Sequence, residues 1–272
     1  MSEIMSEFLR AGDKVVARPE GMDYTLENGR VYNLKWNGWD DKAYLEMDGT
    51  LKLPEKTYET EDDALFIDRV LNYFNTTDKN TVGVLCSGLK GSGKTMSCKM
   101  IAQKSNLPII VVDTGFMASH LNDFFTKFKQ EVCVIFDEIE KNERTWNTDK
   151  LLGFLDGVQT TCKKLVLMTC NNDESMSEFV KDRCSRIRYY RKFSAMSDGM
   201  VYAVVNDKIK DTNLAEEVAK YAIDNFVTLS YDNLISFIEE LFIMSDKYKS
   251  LDDVSKDLNI MLKNNGKDSK ND

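Results

Sequence analysis

Hydrophobic and polar residues change their spacing twice along this 272-residue chain. Before residue 59, short runs rich in Val, Tyr, Leu and Trp are separated by glycine-containing turns. From there to about residue 195, apolar runs alternate with segments of helical spacing, and beyond residue 213 only helical spacing remains. These changes predict three domains, residues 1–58, 59–195 and 196–262, followed by a polar tail, residues 263–272, that we expect to be disordered.

The first 58 residues are predicted to form a small β domain. Asn28-Gly29 and Asp48-Gly49 are dipeptides that supply the positive φ of tight hairpin turns. Four or five short antiparallel strands fit between these turns. Because so short a segment cannot build a large sandwich, a small SH3-like barrel is the predicted fold of this domain.

The middle of the chain has the pattern of an α/β domain. The segment EDDALFIDRVLNYFN predicts an amphipathic helix with an acidic first turn. Five apolar runs follow, separated mostly by helical segments: TVGVLCSG, LPIIVVDTG, EVCVIFDE, KLVLMTCNN and RIRYYRKF. This alternation predicts a parallel five-stranded sheet with helices on both faces, and the segments after residue 213 predict a small C-terminal helical domain.

Composition excludes several classes of protein. No segment approaches the roughly 18 to 20 apolar residues of a membrane span, and the acidic start lacks the features of a secretory signal. We therefore expect a cytoplasmic protein with no membrane partner. The six cysteines include no C-x-x-C pair, and His120 is the single histidine, so neither a zinc site nor a disulfide framework is expected.

Charge is distributed unevenly. The net charge of -9 argues against a protein whose whole surface coats nucleic acid. One segment, KDRCSRIRYYRK at residues 181–192, nevertheless carries six basic residues against Asp182 alone. A contact between this segment and nucleic acid therefore stays open as an alternative.

The segment GLKGSGKT fits the pattern G-x-x-x-x-G-K-[ST] of a phosphate-binding loop. It follows an apolar strand and precedes a helix, which is the context that points backbone N–H groups and a helix N-terminus at an anion. Lys94 is predicted to reach the β- and γ-phosphates of ATP, and the hydroxyl of Thr95 to hold Mg²⁺. The nucleotide-binding set predicted is Gly88, Leu89, Lys90, Gly91, Ser92, Gly93, Lys94, Thr95 and Met96.

Polar side chains end two later strands. Asp137 and Glu138 follow an apolar run about 40 residues after the phosphate loop, where ligands of open α/β sheets bind. Asp137 is predicted to bind Mg²⁺ through water, and Glu138 to polarise the water that attacks the γ-phosphate. Asn171 or Asn172, at the end of the next strand, is predicted to hydrogen-bond the γ-phosphate or to orient that water.

Together these motifs resemble the AAA+ ATPases, and within them the AAA-type subgroup. The resemblance covers roughly residues 60–245 and is carried especially by LLGFLDGVQTTCKKLVLMTCNN and by the R-x-x-R pair in DRCSR. It implies that Glu140 is a further acid of the Asp-Glu motif and that the C-terminal helical domain is a lid. The segment DTGFMASHLNDFF lacks the aromatic-hydrophobic-glycine loop with which the family grips polypeptide; Phe116, Met117 and His120 are the nearest candidates.

The same resemblance implies assembly. Arg183 and Arg186 match the two arginines that in this family reach the neighbouring subunit's nucleotide, so a homo-oligomer, and a hexameric ring in particular, is expected. The preferred function is a Mg²⁺-dependent ATPase that remodels a protein or protein assembly recruited by the N-terminal β domain. Two alternatives are a nucleic-acid-linked ATPase, such as a helicase loader or recombination accessory, and a scaffold gated by nucleotide.

Overall fold

The computed structural model describes residues 8–17, 25–37, 42–112, 118–126, 128–142, 153–156, 162–171, 186–243 and 250–263. The chain divides into two compact units. One comprises Met1–Gly88 and Lys94–Lys192, and the other comprises Leu89–Gly93 and Phe193–Asp272. Asn172, Arg183 and the pore-loop candidates Phe116 and Met117 lie outside the described residues, as do the His120 side chain and nearly all of the tail.

Nine strands form the sheet, in the order β1-β2-β4-β3-β6-β7-β8-β5-β9. Their bounds are β1 Phe8–Ala11, β2 Lys14–Ala17, β3 Arg30–Asn37, β4 Lys42–Thr50, β5 Thr81–Gly88, β6 Ile109–Val112, β7 Val132–Phe136, β8 Lys164–Cys170 and β9 Ile187–Phe193.

The α/β part of the prediction agrees with the structure. The five strands predicted there, β5 to β9, lie side by side, and the pairs β6–β7, β7–β8 and β8–β5 are parallel. Every residue of β7 and of β8 is buried, as expected for strands covered on both faces.

The predicted separate SH3-like barrel is wrong, and so is a sheet limited to five strands. The first four strands pair antiparallel with one another in the order β1-β2-β4-β3. Strand β3 then pairs in parallel with β6, from Val31 opposite Ile109 to Leu34 opposite Val112. The N-terminal strands therefore cover the edge that β6 would otherwise expose, and they extend the sheet to nine strands among the described residues.

Side-chain packing explains why these strands join the sheet. Tyr32 is fully buried and belongs to the same hydrophobic cluster as Ile110, Phe125 and Phe136. The side chain of Gln130, just before β7, donates to the carbonyl of Leu26 at 2.8 Å and accepts from its N–H at 3.0 Å. One continuous core thus spans both sets of strands.

In the described part of the first unit, the longer helices are α1 Glu61–Thr76, α2 Lys94–Ser105 and α3 Ala118–Phe125. Helix α1 begins with a capping box, because Asp63 N–H donates to the Thr60 hydroxyl at 3.1 Å while the Asp63 carboxylate accepts from Thr60 N–H at 2.9 Å. The predicted amphipathic helix is confirmed, since Ile67, Val70 and Phe74 are its buried residues.

The second unit is helical, with α4 Asp198–Lys208, α5 Thr212–Asn225, α6 Tyr231–Ile243 and α7 Leu251–Ser255. Asp211 caps α5 by accepting from the N–H groups of Asn213 and Leu214 at 2.9 and 3.1 Å. Tyr221 of α5 stacks on Phe237 of α6, with ring centroids 5.4 Å apart. These contacts hold α5 against α6.

Two details of this unit differ from the sequence pattern. Helical spacing continues to Leu262, yet α7 ends at Ser255 and Leu262 instead forms a β-bridge with Phe226. Helix α4 was not predicted separately, because its run MVYAVV is rich in residues with high strand propensity. Within the described part of the chain, no helix is both long enough and apolar enough to span a membrane.

Replacement of Gly83 by alanine tests how closely β5 packs on β9. A methyl group at Gly83 would lie 2.3 Å from the carbonyl oxygen of Arg186, so backbone must move. We expect Gly83→Ala to cost about 1–3 kcal/mol of stability. Thermal unfolding measures this loss. Gly199→Ala is the control, because a methyl group there meets nothing within 4 Å; equal melting temperatures for the two variants would contradict the packing described.

Candidate functional site

Parallel pairing brings three strand ends to one edge of the sheet. Strand β8 lies between β5 and β7, with Cys170 opposite Ser87 and Met168 opposite Phe136. The residues that follow these strands therefore lie close together at the carboxyl edge, which is where open α/β sheets bind ligands.

The loop between β5 and α2 depends on glycine. Gly88, Gly91 and Gly93 have φ values of 135°, 70° and 96°, a backbone region that other residues rarely adopt. The Ser92 hydroxyl donates to the carbonyl of Leu89 at 2.6 Å, which tightens the turn. Because α2 begins at Lys94, the loop leads into a helix N-terminus, as anion binding requires.

Gly91 also contacts the start of helix α6 within the second unit. Its carbonyl accepts a hydrogen bond from Tyr231 N–H at 3.1 Å. A methyl group at Gly91 would lie 2.9 Å from Ser230 Cβ and 3.0 Å from Asp232 Oδ2. Glycine is thus required at this position both for its positive φ and for this close approach.

Lys94 is almost completely buried, with 5% of its surface exposed. Its Nζ donates to the carbonyl of Gly88 at 2.8 Å, so the amine bends back over the loop. Burial lowers the pKa of Lys94, and the nearby acidic groups, Glu140 foremost, oppose that effect. A cation held in this way favours an anionic ligand at the loop.

Asp137 receives two hydroxyl groups on one oxygen. Thr95 Oγ1 donates to Asp137 Oδ1 at 3.0 Å, and Thr169 Oγ1 donates to the same oxygen at 2.5 Å. The two residues predicted to hold Mg²⁺, Thr95 and Asp137, are therefore adjacent although 42 residues separate them in sequence.

The next residue, Glu138, has a left-handed backbone with φ of 52°. Such a conformation costs a residue with a Cβ about 1–2 kcal/mol. Its N–H donates to Thr169 Oγ1 at 2.8 Å, which holds the peptide in place. Its carboxylate accepts from Asn171 Nδ2 at 2.8 Å and forms an ion pair with Lys141, which raises the pKa of that lysine.

Asn171 links two carboxylates. Its Nδ2 donates to Glu138 and also to Glu140 Oε1 at 2.7 Å, and its backbone N–H donates to Glu140 Oε1 at 3.0 Å. The other oxygen of Glu140 is buried and has no partner among the residues that the structure describes. Asn171 thus lies in the site as predicted, while the choice between Asn171 and Asn172 as the functional amide stays a prediction.

The side chain of Arg186 contacts a carboxylate of its own chain. Its guanidinium forms a two-point ion pair with Asp156, and its side chain is 16% exposed. Its Nη1 is buried and lacks a partner within the described ranges. The predicted role of Arg186 at a neighbouring nucleotide stays a prediction, as does that of Arg183.

Sequence reasoning missed Thr169 and Lys141. Thr169 is the polar residue inside the buried run LVLMTC, and a buried hydroxyl must find a partner, which could have indicated its role. Lys141 lies three residues after Glu138 in a short 3-10 turn, Ile139–Asn142, that brings the two side chains together.

The donor set fits a magnesium-bound nucleotide. The Thr95 hydroxyl donates its proton to Asp137 and keeps oxygen lone pairs for a cation, and Mg²⁺ prefers such hard oxygen ligands. Among the described residues, no group of three or more His, Cys, Asp or Glu side chains could hold a metal alone.

Comparison with known proteins agrees with this geometry. Residues 84–192 match the model of the family described as "ATPase family associated with various cellular activities (AAA)". The chain is 26% identical over 160 residues to an ATP-dependent zinc metalloprotease FtsH of Sulfurovum sp. (strain NBC37-1), a match covering 50% of this chain and 23% of that protein. It is 27% identical over 141 residues to the ATP-dependent zinc metalloprotease FTSH 9, chloroplastic, of Arabidopsis thaliana, covering 43% and 18%.

A third relative is the ATP-dependent zinc metalloprotease FtsH of Burkholderia pseudomallei (strain 1710b), 24% identical over 156 residues, covering 49% of this chain and 23% of that protein. The matches thus span less than a quarter of each relative's length. They support an AAA+ ATPase domain that binds nucleotide.

Gly91→Ala tests the contact between the loop and α6. Alanine must adopt a positive φ and also meets Ser230 and Asp232, so both strain and overlap should lower stability, together by about 2–4 kcal/mol. Thermal unfolding without nucleotide measures the effect. The control, Gly93→Ala, also requires a positive φ in the same loop, 96° against 70° at Gly91, but meets nothing within 4 Å, so it should melt at a higher temperature; the reverse order would contradict the contact.

Proposed function

We propose that this protein is a Mg²⁺-dependent ATPase that works as a homo-oligomer and uses ATP hydrolysis to remodel a protein or protein assembly. The observation that carries the proposal is the convergence of the Thr95 and Thr169 hydroxyls on Asp137 Oδ1, beside the buried amine of Lys94. The ammonium group of Lys94 and the carboxylate of Asp137, the proposed metal ligand, thus lie at the start of helix α2, which follows the glycine-rich loop.

In this proposal the loop binds the phosphates. Backbone N–H groups of residues 88–95 and the N-terminus of α2 attract the anion, and Lys94 turns from the Gly88 carbonyl to the β- and γ-phosphates. Bound Mg²⁺ neutralises the charge that develops on the transferred phosphoryl group. Thr95 and Asp137 are the residues that would hold this ion.

Glu138 is the proposed general base. It follows the metal-binding residue directly, and Asn171 holds one of its carboxylate oxygens at 2.8 Å. The amide therefore fixes the direction from which Glu138 accepts a proton from the attacking water. Asn171 also holds Glu140, so movement of one carboxylate is linked to the position of the other.

A second subunit is proposed to complete the site. The AAA family match and the position of Arg183 and Arg186 just before β9 support arginines that act across a subunit interface. In this proposal the ion pair between Arg186 and Asp156 breaks when the subunits act together, because Arg186 must release that carboxylate before it can reach the neighbouring subunit's nucleotide.

Contacts of the basic segment favour a protein target over nucleic acid. Arg186 pairs with Asp156, and Arg188 lies 4.1 Å from the ring centroid of Tyr73. Arg191 donates to both Asp62 and Asp63, at 2.8 and 2.6 Å. In the described part of this segment, Arg186, Arg188 and Arg191 are thus engaged within the chain, which weakens the case for phosphate binding there.

The relatives' protease activity is not proposed for this chain. Zinc metalloproteases of the H-E-x-x-H type need two histidines on one helix. The printed sequence contains His120 alone. The N-terminal strands are proposed to recruit the target, because they precede the family match at residues 84–192.

Glu138→Gln tests the catalytic assignment. Glutamine keeps the shape and the contact with Asn171 but cannot accept a proton, so we expect ATP hydrolysis to fall by roughly 10²–10⁴-fold while ATP binding persists. Phosphate release and nucleotide titration measure the two quantities. Glu131→Gln, the same substitution at the other end of β7, is the control and should leave both unchanged. Hydrolysis at the normal rate in Glu138→Gln would refute the assignment.

Mixing variants tests the shared site. Arg183→Ala keeps its phosphate loop and Lys94→Ala keeps its arginines, so each alone should be inactive. In an equal mixture roughly a quarter of the interfaces would combine an intact loop with an intact arginine, and activity should return in proportion. No recovery on mixing would show that the arginine acts within its own chain. The Asp156→Ala variant lacks the carboxylate that pairs with Arg186 but keeps the phosphate loop and both arginines. Mixed in the same way, it separates the role of the ion pair from the role of the arginines in catalysis.

A further inference from the structure

The Thr169 side chain forms hydrogen bonds with both acidic residues of the site, Asp137 and Glu138. It lies on β8, is 1% exposed, and points between Asp137 and Glu138. Its hydroxyl group acts both as a hydrogen-bond donor and as a hydrogen-bond acceptor. The proton goes to Asp137 Oδ1 at 2.5 Å, and a lone pair accepts Glu138 N–H at 2.8 Å.

Each of these two hydrogen bonds holds in place a group that the proposed ATP hydrolysis requires. The first adds a donor to the oxygen on which Thr95 also converges, so it orients the carboxylate relative to the metal site. The second holds the peptide of Glu138 in its left-handed conformation, with φ of 52°. Residues with such backbone strain persist only where surrounding contacts fix them.

We propose that Thr169 is a positioning residue that sets the metal-binding carboxylate of Asp137 and the catalytic carboxylate of Glu138 relative to each other. This inference rests on the proposed ATPase function. It predicts that loss of the hydroxyl weakens the metal-dependent part of nucleotide binding and slows hydrolysis, while the attraction between phosphates and the loop stays intact.

The same sheet offers a second buried threonine, Thr81, for comparison. Thr81 lies at the opposite end of the paired strand β5, is 6% exposed, and its hydroxyl has no partner among the described residues. Thr81→Val therefore makes the same chemical change in a buried strand without removing a hydrogen bond seen at the site.

The experiment measures binding of a non-hydrolysable ATP analogue by calorimetry, with and without Mg²⁺, and ATP hydrolysis across a Mg²⁺ titration. For Thr169→Val we expect metal-free binding like that of the unchanged protein, a roughly tenfold loss of the gain in affinity that Mg²⁺ gives, and a fall in kcat. Thr169→Ser keeps the hydroxyl and should retain most of both. Thr81→Val should match the unchanged protein.

Stability is controlled with a second pair of variants. Thr169→Ser and Thr169→Ala both lack the γ-methyl group and differ only in the hydroxyl, so their comparison holds even if valine disturbs folding. A lower gain from Mg²⁺ in the alanine than in the serine variant supports the inference.

Equal Mg²⁺ dependence in Thr169→Val, Thr169→Ala and Thr169→Ser would overturn it, as would an effect confined to the melting temperature. Failure of the ATPase proposal looks different, because the unchanged protein itself would then show no hydrolysis and no gain in binding from Mg²⁺.

Discussion

The position of β8 between β5 and β7 is the constraint on which the site depends. Parallel pairing in register, with Cys170 opposite Ser87 and Met168 opposite Phe136, fixes three strand ends side by side, with neighbouring strands about 5 Å apart. Strand pairing alone therefore places the start of the glycine loop, the Asp137–Glu138 pair and Asn171 near one another, and strong contacts between them are not needed. A slip of one residue in either pair would turn Thr169 away from both carboxylates, because successive side chains of a strand face opposite sides.

The site contains several features that lower the stability of the folded protein. Lys94 is buried with a lowered pKa, Glu138 has a strained backbone, and a buried oxygen of Glu140 has no partner in the described part of the chain. The hydrogen bond that Thr169 accepts from Glu138 and the one that Asn171 donates to Glu140 compensate for part of this cost. Groups arranged in this way around an open edge are ready to exchange their mutual contacts for contacts with a charged ligand.

The N-terminal strands belong to the same sheet as Asp137 and Asn171. Since β3 continues the sheet from β6, and Tyr32 shares a core with Phe136 at the end of β7, a target bound by these strands would lie on an extension of that sheet. A separate barrel on a linker would have offered no such continuity. Recruitment and hydrolysis, as proposed, therefore take place on one sheet.

The sequence by itself determined the elements that local patterns encode. The loop GLKGSGKT, the helix α1 and the strands β5 to β9 follow from glycine positions, capping residues and apolar runs within each segment. It could not determine that β3, the strand after Asn28-Gly29, joins β6 instead of closing a separate barrel, because strand pairing depends on edges supplied by distant residues. The roles of Thr169 and the ion pair of Arg186 with Asp156 were likewise decided only by tertiary structure, since partners 30 or more residues apart in sequence meet only after the sheet has formed.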